Sequence, residues 1–307
     1  MKDLLIIGAG PAGLTAAIYG KRAGLDTINI EESPIGGGQV TTTYEVDNYP
    51  GLPHIGGMEL GEKMKEHALN MGAEFLEASV SAVAPKDGFL EVTTDAGAFE
   101  SRAIIIATGA AHNHLGIPGE EELAGMGVSY CATCDGAFFK NRTVAVVGGG
   151  DVALEDALFL ARTCKEVYLI HRRDTFRGAY TLAQAVKNTP NIKIIYNSAV
   201  EAISGEDMVE SISVKNLHDG SESELSVNGI FIAVGTHPIT ECFEGLVKMD
   251  ESGYILAGED GVTSAKGIFV AGDARSKKLR QIITAAADGA NAVNSACEYL
   301  NSLKKPV

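Results

Sequence analysis

Cys131 and Cys134 stand three positions apart in Cys-Ala-Thr-Cys-Asp-Gly, with Asp135 directly behind them. On one helical turn the two sulfurs can close a small disulfide ring. When reduced, the reactive species is a thiolate, favoured by a helix N-terminus or an opposing charge. Asp135 is placed to carry the proton that thiolate chemistry must move. Half of a zinc site and a pair of packed helix cysteines are the other readings of this stretch. A zinc site needs four ligands. Cys164, Cys242 and Cys297 are scattered singly, with no second Cys-x-x-Cys pair to complete one. The balance favours a redox dithiol.

Two further constellations can feed such a dithiol with electrons. The apolar run 3–7 reads as a buried parallel strand, and it leads into Gly8-Ala-Gly10-Pro-Ala12-Gly13. A helix and a second strand follow, ending at Glu31. This is a βαβ unit with Gly-x-Gly-x-x-Gly at its first turn, which lets the backbone approach a pyrophosphate at the helix N-terminus. An acid at the position of Glu31 suits the hydroxyls of an unphosphorylated ribose. Val144–Val147 opens a second unit through Gly148-Gly-Gly150-Asp151 and ends in His171-Arg172-Arg173, with Arg177 four positions on. Gly8 and Glu31 are 23 positions apart, as are Gly148 and His171. The same element is used twice with opposite charge at the ribose position, and arginines there suit a 2′-phosphate.

The elements that must position these groups repeat as well. Ala103-Ile-Ile-Ile-Ala-Thr108-Gly109 and Ile230-Phe-Ile-Ala-Val-Gly235 are matching strand-to-glycine segments. Residues 34–58 read as a long irregular loop carrying Gly-Gly-Gln39 and Asn48; loops of this length are usually functional, and a plain surface loop is the other reading. Near the end, Gly272-Asp273 closes a strand and Arg280-Gln281 opens a final Ala-rich helix. The fold class expected is α/β: two Rossmann-like nucleotide-binding domains with central parallel sheets, one inserted in the other.

Taken in order, these motifs resemble those of the low-molecular-weight bacterial thioredoxin reductases, from one end of the chain to the other. The resemblance implies an FAD domain built from residues 1–112 and 242–307, with an NADPH domain at 113–241 that carries the dithiol. It implies a homodimer and thioredoxin, or a similar small redoxin, as substrate. Cys134 would lie against the flavin, Cys131 would attack the partner's disulfide, and Asp135 would give and take the proton. Gln39, Asn48, Asp273, Arg280 and Gln281 would contact FAD. Arg172, Arg173 and Arg177 would hold the 2′-phosphate. Val152 departs from the family's usual Ser or Thr, a hydroxyl short of a phosphate contact. A reductase of another redoxin, or a small-molecule dithiol oxidoreductase of the same build, is the alternative activity.

The 307 residues suffice for about two domains. A net charge of −15 argues against nucleic acid and anionic membrane as partners, because phosphate backbones and headgroups are held by Lys and Arg. No apolar run reaches the ~18 residues of a spanning helix. The N-terminus enters its first strand without a signal peptide's regions. A cytoplasmic protein is expected, where a Cys-x-x-Cys is more often catalytic than structural.

Overall fold

The computed structural model of the chain describes residues 1–43 and 45–304. The chain divides into two compact units. One comprises Met1–Thr43, Ile55–Ala111 and His237–Val307, the other Tyr44–His54 and His112–Thr236.

In the first unit the strand Lys2–Ile7 lies between Thr27–Glu31 and Gly97–Ile106, parallel to both. Glu74–Glu77 extends the parallel side beyond Thr27–Glu31. Gly97–Ile106 serves two partners along its length. Its first half pairs antiparallel with Phe89–Thr94, and Ile104–Ile106 pairs in parallel with Ile268–Val270. Successive residues of the first strand feed opposite cores. Leu4 and Ile6 pack with the helices Pro11–Arg22 and Ile282–Lys304, while Leu5 and Ile7 face Phe243, Ile255 and Ile268. A strand buried on both faces must be apolar throughout, which is why it reads as an uninterrupted run rather than an alternation.

The second unit repeats this plan. Its sheet runs Ile192–Ile195, Glu166–Ile170, Thr143–Val147, Gly229–Ile232, Val128–Ser129, all parallel. Val144 and Val146 face the helix Asp151–Leu160, whereas Ala145 and Val147 face the other core. An antiparallel sheet of Ser198–Ser204, Ser211–Asn216 and Glu222–Ser226 supplies Val200, Ile212 and Val214 to that second core. Both sheets thus order their strands third, second, first, fourth around a glycine turn. In open sheets of this kind ligands bind at the carboxyl ends of the strands, where the strand order reverses. Among the described residues no helix is long and apolar enough to cross a membrane.

The two glycine-turn helices begin at Pro11 and Asp151, directly after Gly10 and Gly150, because the glycine itself is the extended N-cap. The loop after Glu31 contains a 3₁₀ turn, Gly38–Thr42, that carries Gln39.

Candidate active site

Cys131 and Cys134 are joined in a disulfide, with Cα atoms 5.3 Å apart. They bracket a single helical turn, Ala132–Asp135, for which Cys131 is the extended N-cap. The backbone N–H groups of Cys134 and Asp135 both donate to the Cys131 carbonyl, at 3.2 and 3.1 Å. The turn is held down by Ala132 in the helix-side core, and it packs on the helix Asp151–Leu160. It follows the carboxyl end of Val128–Ser129. The glycine turn at Gly148 follows the carboxyl end of Thr143–Val147 in the same sheet, with Gly229–Ile232 between them. Two strand spacings, about 10 Å, therefore separate the strand that leads to the dithiol from the one that leads to the glycine turn.

Asp135 accepts a 2.6 Å hydrogen bond from the Ser129 hydroxyl through Oδ2, while Oδ1 is buried with no donor among the described residues. Burial pushes its carboxyl above the ordinary Asp value, and the Ser129 hydrogen bond opposes this only in part. A carboxyl moved toward neutrality is suited to exchange a proton with a thiol. One residue earlier, Tyr130 OH donates to Glu120 Oε1 at 2.9 Å and lies 2.9 Å from His114 Nδ1, with the His112 ring stacked on it. Neither Ser129 nor this cluster was singled out from the sequence; a hydroxyl two residues ahead of the first cysteine was the available signal for Ser129.

The glycine turns bring backbone close to backbone and leave room for an anion at each helix start. A Cβ on Gly13 would fall 1.9 Å from the Gly8 carbonyl oxygen, and one on Gly148 2.4 Å from that of Ala233, so neither position admits a side chain. At Gly150 a Cβ would meet nothing within 4 Å, and at Gly10 only Gly38 Cα at 3.9 Å. Neither helix has a side-chain cap. Their first-turn N–H groups are thereby left for an anion. Ala12 lies buried in the first turn against the last helix, where Gly289 lets the backbones meet.

Around the first turn, Glu31 accepts the Ala9 N–H at 2.6 Å and the Ser33 N–H at 3.0 Å. Gln39 donates its amide to the Ala110 carbonyl. Thr108 Oγ1 donates to the Ile239 carbonyl at 2.6 Å, and Gly109 next to it takes a left-handed conformation. Asp273 lies 3.0 Å from Lys277 Nζ as an ion pair. Gly272 donates its N–H to Asp288. Arg280 stacks over Tyr254 at 4.2 Å, and its buried Nε has no acceptor. The Gln281 carbonyl accepts the N–H of Ala285, in the first turn of the last helix, at 2.9 Å. Asn48 is exposed and lies in Tyr44–His54, the segment grouped with the second unit. An orphaned guanidinium nitrogen, uncapped helix N-termini and an open glycine are features that a bound dinucleotide would complete.

Around the second turn, Asp151 Oδ1 accepts the Ala179 N–H at 2.6 Å, and Arg177 and Gly178 donate to the Gly149 carbonyl. This folds the arginine loop over the turn. His171 is buried and donates Nε2–H to the Thr175 carbonyl at 3.0 Å. Burial, joined by the charges of Arg173, Arg177 and Arg172, holds its imidazole below the ordinary value, against the pull of the Thr175 carbonyl. Arg172, Arg173 and Arg177 are all exposed and enter no ion pair among the described residues. Val152, at the second position of the helix, is 59% exposed.

A protonatable acid beside a reversible disulfide, in a pair of dinucleotide-type α/β units, defines a nucleotide-dependent disulfide oxidoreductase. The sequence profile of the pyridine nucleotide-disulphide oxidoreductases matches residues 2–289. A thioredoxin reductase of Listeria innocua is 47% identical over 99% of this chain and 95% of its own. That of Bacillus subtilis is 42% identical over 99% and 96%. The crystal structure of thioredoxin reductase from Streptococcus pyogenes superposes with a TM-score of 0.95, at 40% identity, covering 98% of this chain and 99% of the other. The chain belongs to the pyridine nucleotide-disulphide oxidoreductase family and, within it, to the thioredoxin reductases.

Proposed function

We propose that the chain reduces the disulfide of thioredoxin at the expense of NADPH, with FAD as its resident cofactor. The first unit takes FAD: Glu31 faces the ribose, Gly8, Gly10, Ala12 and Gly13 form the diphosphate turn, and Thr108, Gly109, Gln39, Gly272, Asp273, Arg280 and Gln281 line the rest. The second unit takes NADPH, with Gly148, Gly150 and Asp151 at the diphosphate, and His171, Arg172, Arg173 and Arg177 at the 2′-phosphate. Bound flavin supplies the two-electron relay between a nicotinamide hydride and a disulfide. The chain's own residues do the rest. Once reduced, Cys131 attacks one sulfur of the thioredoxin disulfide, and the other sulfur leaves and takes a proton from Asp135. Cys134 then attacks Cys131, which restores the Cys131–Cys134 disulfide and frees the reduced partner. A cytoplasmic homodimer is the form in which we expect the chain to act.

The observation that carries this reading is the Cys131–Cys134 disulfide beside an acid raised toward neutrality, at the carboxyl ends of the same sheet's strands that lead into the basic nucleotide turn. The test is anaerobic titration of the FAD-loaded protein with NADPH and with NADH, followed by absorbance, then addition of oxidised thioredoxin. Reduction by NADPH and reoxidation by thioredoxin are expected. A Cys134→Ser variant should accumulate a mixed disulfide with thioredoxin on Cys131. An adduct mapped to Cys134 in the Cys131→Ser variant instead would reverse the two roles.

A further inference from the structure

Ser129 closes the short strand Val128–Ser129, two residues ahead of Cys131, and is 5% exposed. Its hydroxyl makes two contacts with the dithiol turn. It donates to Asp135 Oδ2 at 2.6 Å and accepts the Cys131 backbone N–H at 3.1 Å. A hydroxyl has one proton to give, so with the short bond made, its 3.4 Å approach to the Cys131 carbonyl adds no second one. Ser129 is thus the donor that fixes one carboxylate oxygen, and Oδ1 stays buried and undonated. The strand places this hydroxyl: Ser129 is opposite Phe231 in the parallel ladder, and that register fixes where the chain leaves the sheet for the turn.

We propose that Ser129 is the positioning residue of the dithiol exchange: it holds Asp135 by Oδ2, leaves Oδ1 as the oxygen that moves the proton, and ties that carboxyl to the backbone of Cys131. This rests on the acid–base role given to Asp135 above. In the exchange, the Cys131 thiol proton passes to Oδ1 and leaves the thiolate. The Cys131 sulfur bonds to one sulfur of the incoming disulfide as that S–S bond breaks. The departing thiolate takes the proton back from Oδ1, so the carboxylate ends as it began. Burial raises the Asp135 carboxyl and the Ser129 hydroxyl opposes it; the helix packed against the turn carries Asp151, Glu155 and Asp156.

The test follows alkylation of Cys131 by iodoacetamide in the reduced, FAD-bound protein as pH is varied, beside the pH profile of thioredoxin reduction. Beyond the step from the thiol's own ionisation, wild-type protein should show a second step in both curves that Asp135→Asn removes. Ser129→Ala should move the step to higher pH, because losing a donor to the ionised form favours the protonated one. Ser129→Thr, which keeps the hydroxyl, should leave it in place, and this variant also guards against simple unfolding. A step that Asp135→Asn removes but Ser129→Ala leaves unmoved overturns the role of Ser129 alone. A Ser129→Thr step displaced as far as that of Ser129→Ala does the same. A second step that survives Asp135→Asn overturns the acid–base reading and the Ser129 proposal together.

Discussion

Arg275 and Asp288 hold each other through two hydrogen bonds inside the first unit, Nη2 to Oδ1 at 2.9 Å and Nε to Oδ2 at 3.3 Å, both residues under a tenth exposed. Lys277 completes the group: its Nζ lies 3.1 Å from Asp288 Oδ2 and 3.0 Å from Asp273 Oδ1. Two cations and two carboxylates thus balance in a cluster, buried except for the half-buried Asp273, that ties the Gly272–Asp273 turn to the last helix.

Breaking one side of such a cluster leaves buried charge uncompensated. Asp288→Ala should cost about 3–5 kcal/mol, because it strands Arg275 and weakens the hold on Lys277. The double variant Arg275→Met, Asp288→Leu should lose less than Asp288→Ala, since it keeps the Lys277–Asp273 pair and fills the volume with apolar atoms. Urea denaturation of the FAD-loaded proteins measures both. A double variant less stable than Asp288→Ala would show that the pair itself is strongly net stabilising.

The glycines of the two turns divide by what a methyl group would meet. Gly148→Ala must displace the Ala233 carbonyl, which lies 2.4 Å from the added carbon, and should destabilise the second unit visibly in a thermal melt. Gly150→Ala has open space and should melt within about 1 kcal/mol of wild type while binding NADPH more weakly. Calorimetric titration with NADPH checks the second half; unaltered affinity in Gly150→Ala would place the diphosphate elsewhere.

Asp156 is pushed up to about 7 by burial, with the charge of Glu155 adding to it. Its folded value exceeds its unfolded one, so the stability it contributes is complete below the ordinary Asp value of 3.8 and is lost as pH rises through about 7. Ionising it in place costs up to about 4 kcal/mol by pH 8. Asp156→Asn should therefore be more stable than wild type at pH 8, with little or no difference at pH 4. Denaturation curves at the two values decide; a constant difference at both would mean that Asp156 does not titrate in this range.

Arg172, Arg173 and Arg177 are exposed and enter no ion pair among the described residues, so their charges are available to a ligand. Losing one charge-assisted phosphate contact costs about 1.5–3 kcal/mol, or roughly 10- to 100-fold. Arg172→Ala with Arg177→Ala should lower kcat/KM for NADPH by at least that much and leave NADH nearly untouched. Steady-state kinetics with both nucleotides at one ionic strength tests it, and equal losses for both would remove the 2′-phosphate from these residues.

Much of the site is written in short, contiguous stretches. Cys131, Cys134 and Asp135 sit on one turn, and each glycine turn is six residues or fewer. Their chemistry depends on local backbone geometry, which a few neighbouring residues dictate. The spacing from Gly8 to Glu31, matched from Gly148 to His171, carries further because a strand, a helix and a strand have fixed lengths. The parallel sheets follow from the apolar runs, since only a strand covered on both faces can be apolar at every position.

Other relationships depend on packing across the sequence. That Gly148 abuts Ala233, and Gly8 abuts Ala107, is decided by the neighbour each first strand takes in its sheet. Asp288 meets Arg275 and Lys277 only because the last helix lies over the Gly272–Asp273 turn. The grouping of residues 44–54 with the second unit was equally hidden in a loop without periodicity. The raised protonation of Asp135 and Asp156 comes first from burial, a property of the folded core and not of the residue. The sequence by itself determined which groups can do redox and nucleotide chemistry, because residue type and local spacing fix them. Which buried partner each charge meets, and which oxygen of Asp135 is left undonated, only the tertiary structure decided, because desolvation and strand order are set by parts of the chain far apart in sequence.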